Sequence, residues 1–121
     1  MIKAVFKYNE ENGEISLAIK GHAGYSGVGY DIVCASATIL AYTVAQYITI
    51  MHEQNSLQAE PVVRLEEGDI LIKCVPNADS VDEALHTYLV AQVGFALLAT
   101  NYSKYVRCRK FDGDPVKRRK K

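Results

Sequence analysis

Ile2-Lys3-Ala4-Val5-Phe6-Lys7-Tyr8, the linker Asn9-Glu10-Glu11-Asn12-Gly13, and Ile15-Ser16-Leu17-Ala18-Ile19-Lys20 are the stretch on which the fold turns. In the first run Ile2, Ala4, Phe6 and Tyr8 share one side, and Lys3, Val5 and Lys7 the other. Ile15, Leu17 and Ile19 repeat the alternation in the second run. Period two belongs to a half-buried strand, and the Asn-Gly between the runs is a tight-turn signal. The chain therefore opens as a β-hairpin with one face left for a core.

Moving outward, Val62–Glu66 and Ile70–Val75 flank Glu67-Gly68-Asp69 and predict a second hairpin. Between the hairpins, Asp31 to His52 reads as a helix, with Asp31 as N-cap and Ile32, Val33 and Cys34 as its first three positions. Ile32 to His52 carries no Asp, Glu, Lys or Arg, which is the length and composition of a membrane span. Ser36, Thr38, Thr43, Gln46 and Thr49 dilute that run and no basic flank follows, so a helix packed on a sheet is the better reading. A second helix starts near residues 77–80, where Ser80 and Glu83 have capping-box spacing. Its apolar residues Val81, Leu85, Tyr88, Leu89, Phe95 and Ala96 recur at helical intervals, and Ala84 to Tyr102 is again free of formal charge. Tyr105 to Phe111 adds a short strand. The expected class is α+β, an antiparallel sheet of two β-hairpins with two packed helices in the order β-β-α-β-β-α, plus the short C-terminal strand. Two helices without charged faces predict a homodimer that covers the side away from the sheet.

At 121 residues with 49% apolar content, the chain is long and hydrophobic enough for one self-sufficient core, which excludes a disordered protein. Residues 1–111 are expected to form the domain and residues 112–121 a disordered basic tail. The zero net charge hides an uneven distribution: residues 1–100 hold five Lys/Arg against twelve Asp/Glu, and residues 101–121 hold nine against two. Lys117-Arg118-Arg119-Lys120-Lys121 suits an acidic surface or RNA, but such a run is more often a solvated terminus, and no aromatic residue is interleaved in it. Cys34, Cys74 and Cys108 are odd in number and scattered, which argues against a disulfide framework and for a reducing cytoplasm. The Met1–Lys7 start lacks the apolar region of a signal peptide. No His/Cys/Asp/Glu set has zinc spacing, so neither a metal nor a cofactor is expected.

Chemistry concentrates in Gly21-His22-Ala23-Gly24-Tyr25-Ser26-Gly27-Val28-Gly29-Tyr30-Asp31-Ile32-Val33-Cys34. A thiol in the first turn of a helix becomes a thiolate more easily, because the unpaired N–H groups and the dipole favour negative charge there. A histidine returned to that spot by a loop can serve as its base. Gly24, Gly27 and Gly29 suit a mobile lid and close approach to a substrate, and N–H groups near Cys34 are natural oxyanion donors. Asp31 has two roles open to it, capping the helix or orienting His22. The bland alternative makes Cys34 a small buried hydrophobe and His22 an exposed strand end; the glycine loop and the helix start bring the two readings level. Cys74 reads as core and Cys108 as surface or edge strand. His52 ends a helix, and His86 suits a satisfied core position. Gly24-x-x-Gly27-x-Gly29 has neither the order of a dinucleotide loop nor the ending of a P-loop.

Gly21-His22-Ala23-Gly24-Tyr25, followed by Asp31-Ile32-Val33-Cys34-Ala35, resembles the signature of the ribosomal-processing cysteine proteases, the Prp family. The resemblance runs from the Met-Ile-Lys start to Lys104-Tyr105-Val106. It implies a small dimeric α+β fold with a Cys/His pair that removes a short N-terminal extension from a large-subunit ribosomal protein. By position, His22 would be the base and Cys34 the nucleophile, with Asp31 and Gly21 matching the family's aspartate and glycine. Where the family runs Ala-Ala-Val-Ser after the cysteine, this chain has Ala35-Ser36-Ala37-Thr38, and Thr38 keeps a hydroxyl one helical turn after Cys34. Ser103 replaces a proline, and the basic tail is an addition. These departures allow a related substrate such as a phage capsid protein. The rival reading is a non-catalytic dimeric module that meets ribosome or RNA through its tail.

Overall fold

The computed structural model describes residues 1–22 and 28–119, with the side chains of residues 28–31 and 119 outside the description. Five strands form one sheet: β1 (Ile2–Asn9), β2 (Glu14–Lys20), β3 (Val62–Glu66), β4 (Asp69–Cys74) and β5 (Val106–Arg109). Their spatial order is β3-β4-β2-β1-β5. Helix α1 (Val28–Glu53) connects the hairpins, α2 (Val81–Asn101) leads from β4 to β5, and α3 (Pro115–Arg119) closes the chain. The sheet is antiparallel except at one edge, where β5 runs parallel to β1 with Ile2 opposite Val106 and Ala4 opposite Cys108. Both expected hairpins form, with Phe6 opposite Leu17 in the first and Leu65 opposite Ile70 in the second.

The alternation read in the sequence decides which sheet face meets the helices. Ile2, Ala4, Phe6, Ile15, Leu17, Ile19, Ile72, Cys74 and Val106 all point into the core. α1 contributes the stripe Val33, Ala37, Ala41, Val44, Ala45, Ile48 and Met51, and α2 contributes Val81, Ala84, Leu85, Tyr88, Ala91, Phe95 and Leu98. At the centre, Phe6 meets the Phe95 ring edge-on at 6.0 Å and the Phe111 ring at 5.6 Å. The buried Tyr88 hydroxyl donates to the Ile72 carbonyl at 3.1 Å, tying α2 to β4. Ile32–Glu53 is long and apolar enough to cross a membrane, and its inner stripe is committed to this core.

Four expectations need correction. α1 starts at Val28, so Asp31 lies inside the helix instead of capping it. Ser80 does precede α2, but its side chain caps no helix N–H, because its hydroxyl turns to Asp79 while Glu83 accepts the hydroxyl of Tyr47 on α1. His86 is exposed on α2 and is no core residue. The expected disordered tail includes α3, whose start was written in the sequence: Asp114 Oδ1 accepts the N–H groups of Val116 (3.0 Å) and Lys117 (3.3 Å), and Pro115 opens the first turn. Arg118 then anchors the helix on Glu10 at 2.8 Å.

Candidate functional site

Where β2 ends, Gly21 turns the chain with φ +93°, and a side chain there would collide with the Met1 carbonyl oxygen. The Gly21 N–H donates to the Gly68 carbonyl at 3.0 Å, and the Met1 ammonium donates to the His22 carbonyl. His22 is thus held between the chain start and the β3–β4 turn. Its imidazole lies over Gly68, itself at φ +73°, so closely that a Cβ on Gly68 would stand 2.7 Å from Nε2.

On the facing element, Cys34, Thr38 and Tyr42 follow one another at helical-turn intervals along α1. These residues, with Gly21 and His22, line one cleft of about 320 Å³. Ile2, Ile19, Ala37, Leu65 and Ile70 give it apolar walls, and Glu66, Glu67, Gly68 and Asp69 form its edge at the second hairpin. Asp69 accepts from Lys20 Nζ at 2.6 Å and from Arg64 at 3.1 Å. The Lys20 ammonium, then the Arg64 guanidinium, hold its carboxyl below the ordinary carboxylate value.

The three thiols differ sharply in surroundings. Cys74 is 3% exposed on the inner face of β4, and burial pushes its thiol up to about 11. Cys108 is half-buried on the edge strand, and burial raises its thiol as well. Both stay protonated at neutral pH, which disfavours them as nucleophiles. Cys34 alone among them lines the cleft with an imidazole.

Part of the expected arrangement is different. Cys34 is the seventh residue of α1, not the third, so its N–H is spent on the helix and does not serve as an oxyanion donor. The helix-dipole argument weakens for the same reason, since that effect is confined to the first turn. Gly29, expected in the loop, falls in the first turn of α1. Gly24 and Gly27 lie outside the described residues, as does the side chain of Asp31, whose backbone sits inside α1 and not at a cap position. Sequence reasoning missed Tyr42 and the Leu65–Ile70 segment. Their only signal was the acidic Glu66-Glu67-Gly68-Asp69 turn, which marks a hairpin without saying what lies beneath it.

A small α+β domain with a thiol and an imidazole lining one cleft has the groups required of a thiol hydrolase. The chain belongs to the Prp family of cysteine proteases: the family described as "Cysteine protease Prp" matches residues 1–107. Its fold is that of the essential ribosomal processing protease Prp from S. aureus, solved with a covalently linked product peptide (TM-score 0.67, 22% identity, 93% of this chain and 100% of that one). The same S. aureus protease solved with a substrate peptide is equally similar (TM-score 0.67, 21% identity, again 93% and 100%). A Streptococcus mutans protein also shares the fold (TM-score 0.65, 20% identity, 90% and 92%). No curated protein matches the sequence.

Proposed function

We propose that this chain is a cysteine endopeptidase that removes a short N-terminal extension from a large-subunit ribosomal protein, or trims a related substrate such as a phage capsid protein. The observation that carries this is the meeting of His22 and Cys34 on one cleft, with the other two thiols held protonated elsewhere. The Cys34 sulfur attacks the scissile carbonyl carbon while His22 takes the thiol proton. His22 returns that proton to the leaving amine, and the C–N bond breaks to give a thioester. His22 then deprotonates a water, whose oxygen adds to the thioester carbon and expels the Cys34 sulfur. No cofactor is required. Gly21 holds the backbone at His22, Gly68 leaves room for the imidazole, and Thr38 brings a hydroxyl one helical turn past the sulfur.

The enzyme acts in the cytoplasm as a homodimer. Supporting the dimer, α1 exposes Ile39 (63%) and Tyr42, and α2 exposes Val90 (73%), Val93 and Leu97. To test the activity, tagged ribosomal proteins with their N-terminal extensions are incubated with the enzyme and the products read by mass spectrometry. Cleavage is expected with the wild type and none with Cys34→Ala, whose fold and oligomeric state are unchanged. Equal cleavage by Cys34→Ala would remove Cys34 as nucleophile, and no cleavage by either would leave a dimeric binding module.

A further inference from the structure

We propose that the open face of the sheet, on the β5-β1-β2 half, is a docking surface for the phosphate backbone of folded RNA. The helices cover only one side of the sheet. On the other side strand register aligns the side chains in rows. One row runs Arg107, Lys3, Lys20, Asp69, Glu66 across five strands. The next runs Arg109, Val5, Ala18, Leu71, Arg64, and Lys7 stands beyond Val5 on β1 beside Ser16. Lys3, Lys7, Lys20, Arg107 and Arg109 are all exposed.

Three cations abreast on neighbouring strands work against the sheet, because like charges directly opposite repel. The far half of the face solves this internally: Asp69 takes Lys20 and Arg64, and Glu14 faces Lys73 at 3.9 Å. Among the described residues Lys3, Lys7, Arg107 and Arg109 have no ion-pair partner. The field therefore grows toward β5, in a chain whose formal net charge is zero.

The relief of the face selects the partner. Neighbouring strands are about 4.8 Å apart and alternate residues about 6.7 Å apart, so the cations form a two-dimensional lattice on the scale of phosphate spacing. Val5, Ala18 and Ser16 lie between them and provide no aromatic platform, so splayed single-stranded bases have nothing to stack on. A protein partner would need a pocket for an anchoring side chain, and the middle of the face, Val5, Ala18 and Ser16, offers none; the hollow that Lys7 and Arg109 border lies at its far end, where Glu10, Glu11 and Asp112 also line it. A structured backbone, read by charge and shape, is what remains. This surface is separate from the cleft, and its test does not depend on the proposed proteolysis.

The measurement is fluorescence anisotropy of a labelled RNA hairpin, with a stem of about 16 base pairs, against the full chain over a salt series. Binding should weaken steeply as salt rises. Lys3→Gln with Arg107→Gln should lower affinity about tenfold or more at moderate salt, and reduce the slope of log K against log salt by about 2. The same double variant should melt higher than wild type at low salt, since it removes repulsion, and the gain should vanish in high salt. If that pair fails to fold, Lys7→Gln with Arg109→Gln carries the same test. Affinity and slope unchanged by neutralising the face would overturn the proposal, as would binding lost on deleting residues 117–121 alone. Poly-glutamate binding the face more tightly than the hairpin does, at equal charge concentration and the same salt, would also overturn it and assign the face to an acidic protein.

Discussion

Gly68 belongs to a turn, yet its missing side chain bears on the chemistry. Its φ of +73° costs an alanine about 1–2 kcal/mol, and the new methyl would meet the His22 ring at 2.7 Å. The ring is the end of an exposed side chain and can swing away, so the strain falls on geometry more than on the fold. Gly68→Ala should melt about 3–10 °C lower, as that backbone cost requires, while losing about tenfold or more in kcat/KM; unchanged kinetics would show that the ring's seat on Gly68 does not matter. Cys74 titrates in the opposite sense to a reactive thiol. Its pKa rises from an ordinary 9.0 to about 11 in the fold, so between those values the unfolded chain holds fewer protons than the native one. Stability is full below pH 9 and falls as pH climbs toward 11, by about 2–3 kcal/mol. Cys74→Ala should be less stable at neutral pH but flatten the alkaline loss, measured as melting temperature against pH. The buried Tyr88 phenol, raised for the same reason, leaves a residual slope.

At the scale of elements, the β3–β4 hairpin roofs the cleft while lying at the sheet edge. Asp69 fastens it to β2 through Lys20 and braces β3 through Arg64. With the Asp69 pKa depressed in the fold, this contribution is present above the ordinary carboxylate range and lost as pH falls through the folded value. Asp69→Asn should raise hydrogen exchange of the hairpin amides and cut peptide cleavage, both more at low salt than at high; an unaltered exchange pattern would show that β-pairing alone holds the roof. Packing between elements depends on the ring of Phe6 against Phe95 and Phe111. Phe6→Ala should cost about 3–5 kcal/mol in denaturant unfolding.

For the whole molecule, the distribution of apolar surface matters more than its amount. The exposed residues of α1 and α2 lie opposite the open sheet face, so a dimer formed through the helices leaves the cationic lattice free. Ile39→Glu with Val93→Glu should give a monomer in sedimentation velocity at micromolar concentration without changing the far-ultraviolet circular dichroism. A dimer that survives both charges would place its interface elsewhere.

The two hairpins, the inward face of the first, the two long helices and the Glu67–Gly68 turn region were legible in the sequence, because period, turn chemistry and apolar runs act over a few residues. His22 and Cys34 stood out for the same local reason. The N-terminal turn of α1 was misread, since Asp31 is a good cap wherever a helix begins and nothing local said that this one begins at Val28. Tertiary structure alone decided that β5 pairs parallel to β1, that Gly68 lies under His22, and that Arg107 stands beside Lys3. Each of these joins residues many positions apart, and burial of a shared core, not local preference, selects such pairings.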